Sequence, residues 1–154
     1  MFARALFFAL AVMSAAAGAR AEPAGDYARV EVAPTKTSIY VGTVAMTMPT
    51  FVRRGNTYVA PYAARVFPFF FYSEKGSLTV DVTDAQLAGL AAGRPLDFTG
   101  HAVRSDGVER RVTGRATPHD PKSGTLKVRV YVSRRIDLVF NTTYRFEAEP
   151  TAAR

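Results

Sequence analysis

An all-β fold, either an antiparallel β-sandwich or a small β-barrel of about seven or eight strands with one short helix, is predicted by three features of the sequence. Apolar and polar residues alternate in short segments, as in Leu126-Lys127-Val128-Arg129-Val130. Turn formers punctuate those segments at Gly55-Asn56, Asp106-Gly107 and elsewhere. Only one stretch, residues 83–92, carries the start and stop signals of a helix.

Taken in order, the chain opens with basic Arg4 and an apolar run from Ala5 to Ala19, closed by the small-x-small pattern Ala19-Arg20-Ala21. That order is the layout of a secretory signal peptide. The run is shorter than the ~20 residues that cross a bilayer as a helix. Cleavage after Ala21 is therefore expected. The predicted organisation is a signal peptide (1–21), a polar lead-in (22–35), a single β domain (36–147) and a polar tail (148–154). Within the lead-in, Tyr27–Val32 can form a strand.

The composition narrows compartment and partners. The chain contains no cysteine, which excludes disulfides and thiolate metal sites. With an alanine-rich leader, this fits export to the periplasm or beyond in a Gram-negative-like bacterium. Net charge is +7 and falls to +5 once Arg4 and Arg20 are removed. Excess positive charge favours anionic polymers or lipid headgroups. Export argues against nucleic acid, and the processed chain is not expected to be an integral membrane protein.

Ser38–Val52 reads as one long strand. A tight turn at Arg54-Gly55-Asn56-Thr57 leads into a second, running through Tyr62 to Tyr72. Lys75-Gly76 is expected to turn the chain into Leu78–Val82. In the helix, Thr83 is the N-cap with Gln86 three residues on, Leu87 and Leu90 make the apolar stripe, and Gly93 before Pro95 ends it.

The next hairpin can be registered from pattern. A three-residue loop, Ser105-Asp106-Gly107, with Gly107 left-handed sets Leu96, Phe98 and Gly100 opposite Ala116, Gly114 and Val112. It also sets Asp97 beside Arg115 and Thr99 beside Thr113, both favourable cross-strand pairs. A one-residue slip would invert every side chain. The last hairpin joins Leu126–Ser133 to Ile136–Phe146 around Arg134-Arg135.

No catalytic motif is present. His101 falls beside Arg111 on a strand, and His119-Asp120 sits among turn formers. No catalytic residue, metal ligand or cofactor is assigned. Two features remain. Val66-Phe67-Pro68-Phe69-Phe70-Phe71-Tyr72 packs five aromatic residues into seven. As a strand it would be apolar on both faces. Burial in the core is the least special expectation; the alternatives make Phe67, Phe69, Phe70, Phe71 and Tyr72 a ligand-pocket wall or a docking face. The second feature is basic doublets near hairpin tips. In an up-and-down order the turns near residues 106 and 134 share one end, so Arg110, Arg134 and Arg135 could meet an anionic surface.

The order of signal segment, antiparallel strands and one short helix resembles the layout of small periplasmic lipid-binding barrels. The expected function is a non-enzymatic exported binding module for a lipid-like apolar ligand. The alternative is an envelope-associated interaction protein that uses basic hairpin tips or a sheet edge.

Overall fold

The computed structural model describes residues 26–148. The expected signal segment at 1–21 lies outside them, as do residues 22–25 of the lead-in and residues 149–154 of the tail. The strands are β1 (Arg29–Val32), β2 (Thr35–Ile39), β3 (Gly42–Thr47), β4 (Phe51–Arg54), β5 (Thr57–Phe67) and β6 (Glu74–Asp81). Helix α1 (Asp84–Ala91) follows, then β7 (Leu96–Arg104), β8 (Glu109–Asp120), β9 (Ser123–Tyr131) and β10 (Asp137–Glu147).

Ten segments make eight wall positions. β3 and β4 share one, because both pair with β5, through Thr43–Thr47 and Val52–Arg54 respectively. β1 and β2 share another. β1 pairs with β4 and β10, β2 pairs with β3, and the Thr35 hydroxyl donates to the Asn141 carbonyl of β10 at 2.8 Å. Every pairing is antiparallel, and the β1–β10 ladder closes the meander into an eight-stranded barrel. Closure pairs the edge along Arg29–Val32, while β2 is tied to β10 by the Thr35 hydroxyl.

The register of the β7–β8 hairpin follows the pattern argument. Leu96 faces Ala116, Phe98 faces Gly114 and Gly100 faces Val112. Arg115 contacts Asp97 at 3.0 Å across the outer face. Gly107 adopts φ +90°, which the three-residue loop requires. Helix α1 is also as expected: Thr83 and Gln86 form a reciprocal capping box, and Gly93 ends the helix with φ +83°.

Four expectations need correction. The segment Ser38–Val52 is not one strand. It reverses at Tyr40-Val41 and breaks again at Met48–Thr50. Tyr and Val are strand formers, so composition concealed the turn. The aromatic run is not a strand to Tyr72 either. β5 ends at Phe67, and Phe70–Tyr72 form a single 3₁₀ turn that sends the chain back into β6. Consequently Lys75-Gly76 is not a turn. Gly76 lies within β6 opposite Arg104, where the Tyr62 ring and the neighbouring backbone leave no room for a Cβ. Lastly, the β domain begins before residue 36, because β1 supplies the closing ladder and Thr35 opens β2.

Alternation sorts the wall. Val112, Val128 and Phe140 point inward and are buried, whereas Thr99, Arg115, Lys127 and Arg129 face out. The two ends differ. At one, Leu87 and Leu90 of α1 drop into the bore and are fully buried. Tyr27 crosses the same end, its hydroxyl donating to the Pro121 carbonyl at 2.9 Å while its own carbonyl accepts from Tyr58 at 2.6 Å. At the other end lie four connections: Tyr40-Val41, Pro68–Ser73, Ser105–Val108 and Val132–Ile136. Among the described residues, no helix is long and apolar enough to cross a membrane.

The fold separates core aromatics from loop aromatics. Phe140→Ala is expected to cost about 3–5 kcal/mol, as for a fully buried aromatic. Phe70→Ser should shift stability by less than ~0.5 kcal/mol, as for a surface site. Urea midpoints of the two variants check this contrast.

Candidate functional site

The barrel is filled at its helix end and opens into a cavity at the other. Around Phe51, Leu87, Leu90 and Phe146 only a void of about 80 Å³ remains. At the opposite end lies a cavity of about 1030 Å³ that opens to the outside, lined where it is accessible by Ile39, Tyr40, Phe69, Phe71, Tyr72 and Leu138 and floored by the buried core side chains Val44, Val112 and Phe140. That volume stands at the upper end of the ~300–1,000 Å³ of small-molecule sites. Room is made by small inward residues: Ala64 on β5 and Ala102 on β7 stand where larger side chains would fill the bore. The cavity therefore has a floor, a side wall and one mouth.

A linked cluster of polar side chains interrupts its apolar lining. Glu74, the first residue of β6, points inward and receives Arg110 of β8, with Nη2 donating to Oε2 at 2.8 Å and Nε to Oε1 at 3.2 Å. Arg110 Nη1 also donates to the Val132 carbonyl at 2.8 Å. The Tyr62 hydroxyl donates to Glu74 Oε1 at 3.1 Å, and Arg104 Nη1 lies 3.7 Å from Oε2. Both arginines line the cavity just inside the mouth. Arg104 also holds Asp106 on the rim by two hydrogen bonds. That pairing, first through the Arg104 side chain, brings the Asp106 carboxyl down to about 2.

The aromatic loop forms part of the rim, and its members divide. Phe69, Phe71 and Tyr72 line the cavity. Phe67 and Phe70 stand outside it, edge to face at 5.7 Å. Phe69 is half-buried, but Phe67, Phe70, Phe71 and Tyr72 are 62–75% exposed, so the expectation of two-sided core burial fails for those four. The cause is the 3₁₀ turn, which lifts the ring-bearing residues above the wall instead of continuing it.

The basic candidates divide as well. Arg134 and Arg135 lie exposed in the β9–β10 connection, at the same end as the Ser105–Val108 turn. Arg110 is not on the rim. Its side chain is 13% exposed and turned into the bore onto Glu74. Arg111, its neighbour, takes the outward position and stacks over Tyr131 at 4.2 Å. His101 sits on the outer wall with Nδ1 2.8 Å from Glu109, and His119 is exposed on β8. Among the described residues, no cluster of three or more His, Cys, Asp or Glu side chains is placed to hold a metal.

The sequence reading missed Tyr62, Glu74 and Arg104. A usable signal existed for Arg104 and Arg110. Extending the β7–β8 register toward its loop puts Ala102 opposite Arg110, on the same face as Gly100 and Val112, with Arg104 next in line. Two arginines on the apolar face of a hairpin mark a polar site inside a barrel.

Comparison with protein-family models, with curated protein sequences and with solved structures found no match to this chain.

Burial sets the alkaline limit of the fold. Desolvation raises Tyr62 to about 12, helped by the nearby Glu74 charge, and raises Tyr144 to about 12. Tyr58 moves in the same direction, mainly through burial. These hydroxyls stay protonated in the barrel and ionise near pH 10 once exposed. Their contribution is complete below about pH 10 and is lost as pH climbs toward about 12. Urea titrations across that range should show falling stability, with a shallower fall in Tyr62→Phe.

Proposed function

We propose that this chain is an exported, non-enzymatic binding module that holds an apolar, lipid-like ligand in the open half of its barrel. The observation that carries this reading is the mostly apolar cavity of about 1030 Å³ at the open end of the barrel, opposite the helix. A protein of this length could fill its bore with large side chains throughout. This one does so only at the helix end. An apolar cavity open to water at one end gains hydrophobic free energy from an apolar occupant. Arg104, Arg110 and Glu74 near the mouth offer hydrogen bonds for the polar end of such a ligand.

The charged outer wall suits a barrel surrounded by water. A barrel embedded in lipid shows the reverse arrangement, apolar outside and polar within. The sheet-edge version of the interaction reading has less surface to use, because β10 pairs with β1 along Arg29–Val32.

Ala102→Phe combined with Ala64→Phe fills the bore and is expected to weaken binding of a fluorescent fatty acid by roughly tenfold or more. Circular dichroism should show an intact β fold. Affinity equal to wild type would refute the cup as the binding site. Export is tested separately: N-terminal sequencing of the protein from an expressing bacterium should begin at Glu22, whereas retention of Met1 in the cytoplasm contradicts it.

A further inference from the structure

We propose that the open end of the barrel is a docking face for an anionic lipid bilayer, with the aromatic loop in the headgroup–acyl boundary and the basic loops on the lipid phosphates. The inference does not depend on the cavity holding a ligand. Ten large apolar side chains are exposed among the described residues, and all but Val52 lie in or beside the four connections at this end. Phe71 is 75% exposed and Tyr40 fully so. Such concentration on one end of a small barrel marks an interaction face. Aromatic rings are the side chains that settle at a membrane interface.

Charge decides which partner suits it. The carboxylates at this end are occupied: Glu74 by Arg110, Asp106 by Arg104, Glu109 by His101 and Asp137 by Arg129. Arg65, Lys75, Arg134 and Arg135 ring the same end, and among the described residues none has a carboxylate within ion-pair reach. The face therefore combines exposed rings with uncompensated positive charge, the pairing that binds anionic headgroups. A second copy seated mouth to mouth would set these four cations against their own counterparts, which like-charge repulsion opposes.

Flotation with vesicles of phosphatidylcholine, with and without phosphatidylglycerol, tests the proposal on the full chain. Three variants are compared with wild type: Phe67→Ser/Phe70→Ser, Lys75→Glu/Arg134→Glu, and Val52→Ser/Arg54→Glu at the helix end. The first two alter side chains outside the cavity lining. Wild type should prefer the anionic vesicles. Removing and reversing two cations should weaken that binding about thirtyfold or more, and removing two rings roughly tenfold. The helix-end variant should bind as wild type does. Every variant keeps the same N-terminal segment, so differences among them report the barrel ends alone.

Equal binding by all variants overturns the proposal, as does an equal loss in the helix-end variant or no preference for anionic vesicles. A wild-type dimer that disappears in Phe67→Ser/Phe70→Ser, without vesicle binding, assigns the face to a second copy instead. Uptake of a fluorescent fatty acid in vesicle-free solution should persist in the docking variants. Its absence from wild type would count against the cup and leave the docking result standing.

Discussion

The ladder between β1 and β10, with Arg29 opposite Glu147 and Val32 opposite Tyr144, is the constraint on which the other features depend. Without it the chain is a meander with one edge open at β1 and another at β10, and its inner face is merely one side of a sheet. With it, inward residues from eight wall positions converge on a common axis. Val112, Phe140 and the leucines of α1 become a core, and the stretch beyond them becomes a cavity open at one end. Thr35 on Asn141 and Thr142 on the Ala33 carbonyl extend the seam past the break between β1 and β2.

Closure also explains the difference between the two ends. The connection that carries a helix is the one between β6 and β7, and its apolar stripe has nowhere to go but into the adjacent bore. Leu87 and Leu90 fill it, Arg53 reaches Asp84 at 2.7 Å to hold the helix start, and Tyr27 closes the remaining gap. Among the described residues, nothing equivalent covers the opposite end. There, short loops expose their rings, and small residues at Ala64 and Ala102 keep the space beneath them open. An unfilled cavity forgoes dispersion contacts and lowers stability.

Local chemistry made some elements legible in advance and hid others. The β7–β8 register was readable because Asp97 with Arg115, Thr99 with Thr113 and the left-handed Gly107 agree on one pairing, and the helix because its cap is a reciprocal hydrogen-bond pair. The hairpin at Tyr40-Val41 was hidden, since its turn residues favour strands and only tertiary closure forces the reversal. The aromatic loop misled for a related reason. Alternation in Phe67–Tyr72 imitates a strand buried on both sides, while its position above the rim is fixed by the chain reversing into β6. At the site, Arg110 looked like a hairpin-tip charge, because partners such as Glu74 and Tyr62 come from strands distant in sequence. What was readable was that the turns near residues 106 and 134 share an end.

A lipid-like ligand would have to lie in the cavity at the mouth, above Val112, Val128 and Phe140. A crystal structure of the protein with a fatty acid brominated near its methyl terminus tests this most directly. A bromine anomalous peak is expected inside the barrel, next to Val112, Val128 and Phe140. Bromine found only on the outer wall, or a bore closed by the protein's own side chains, would contradict it.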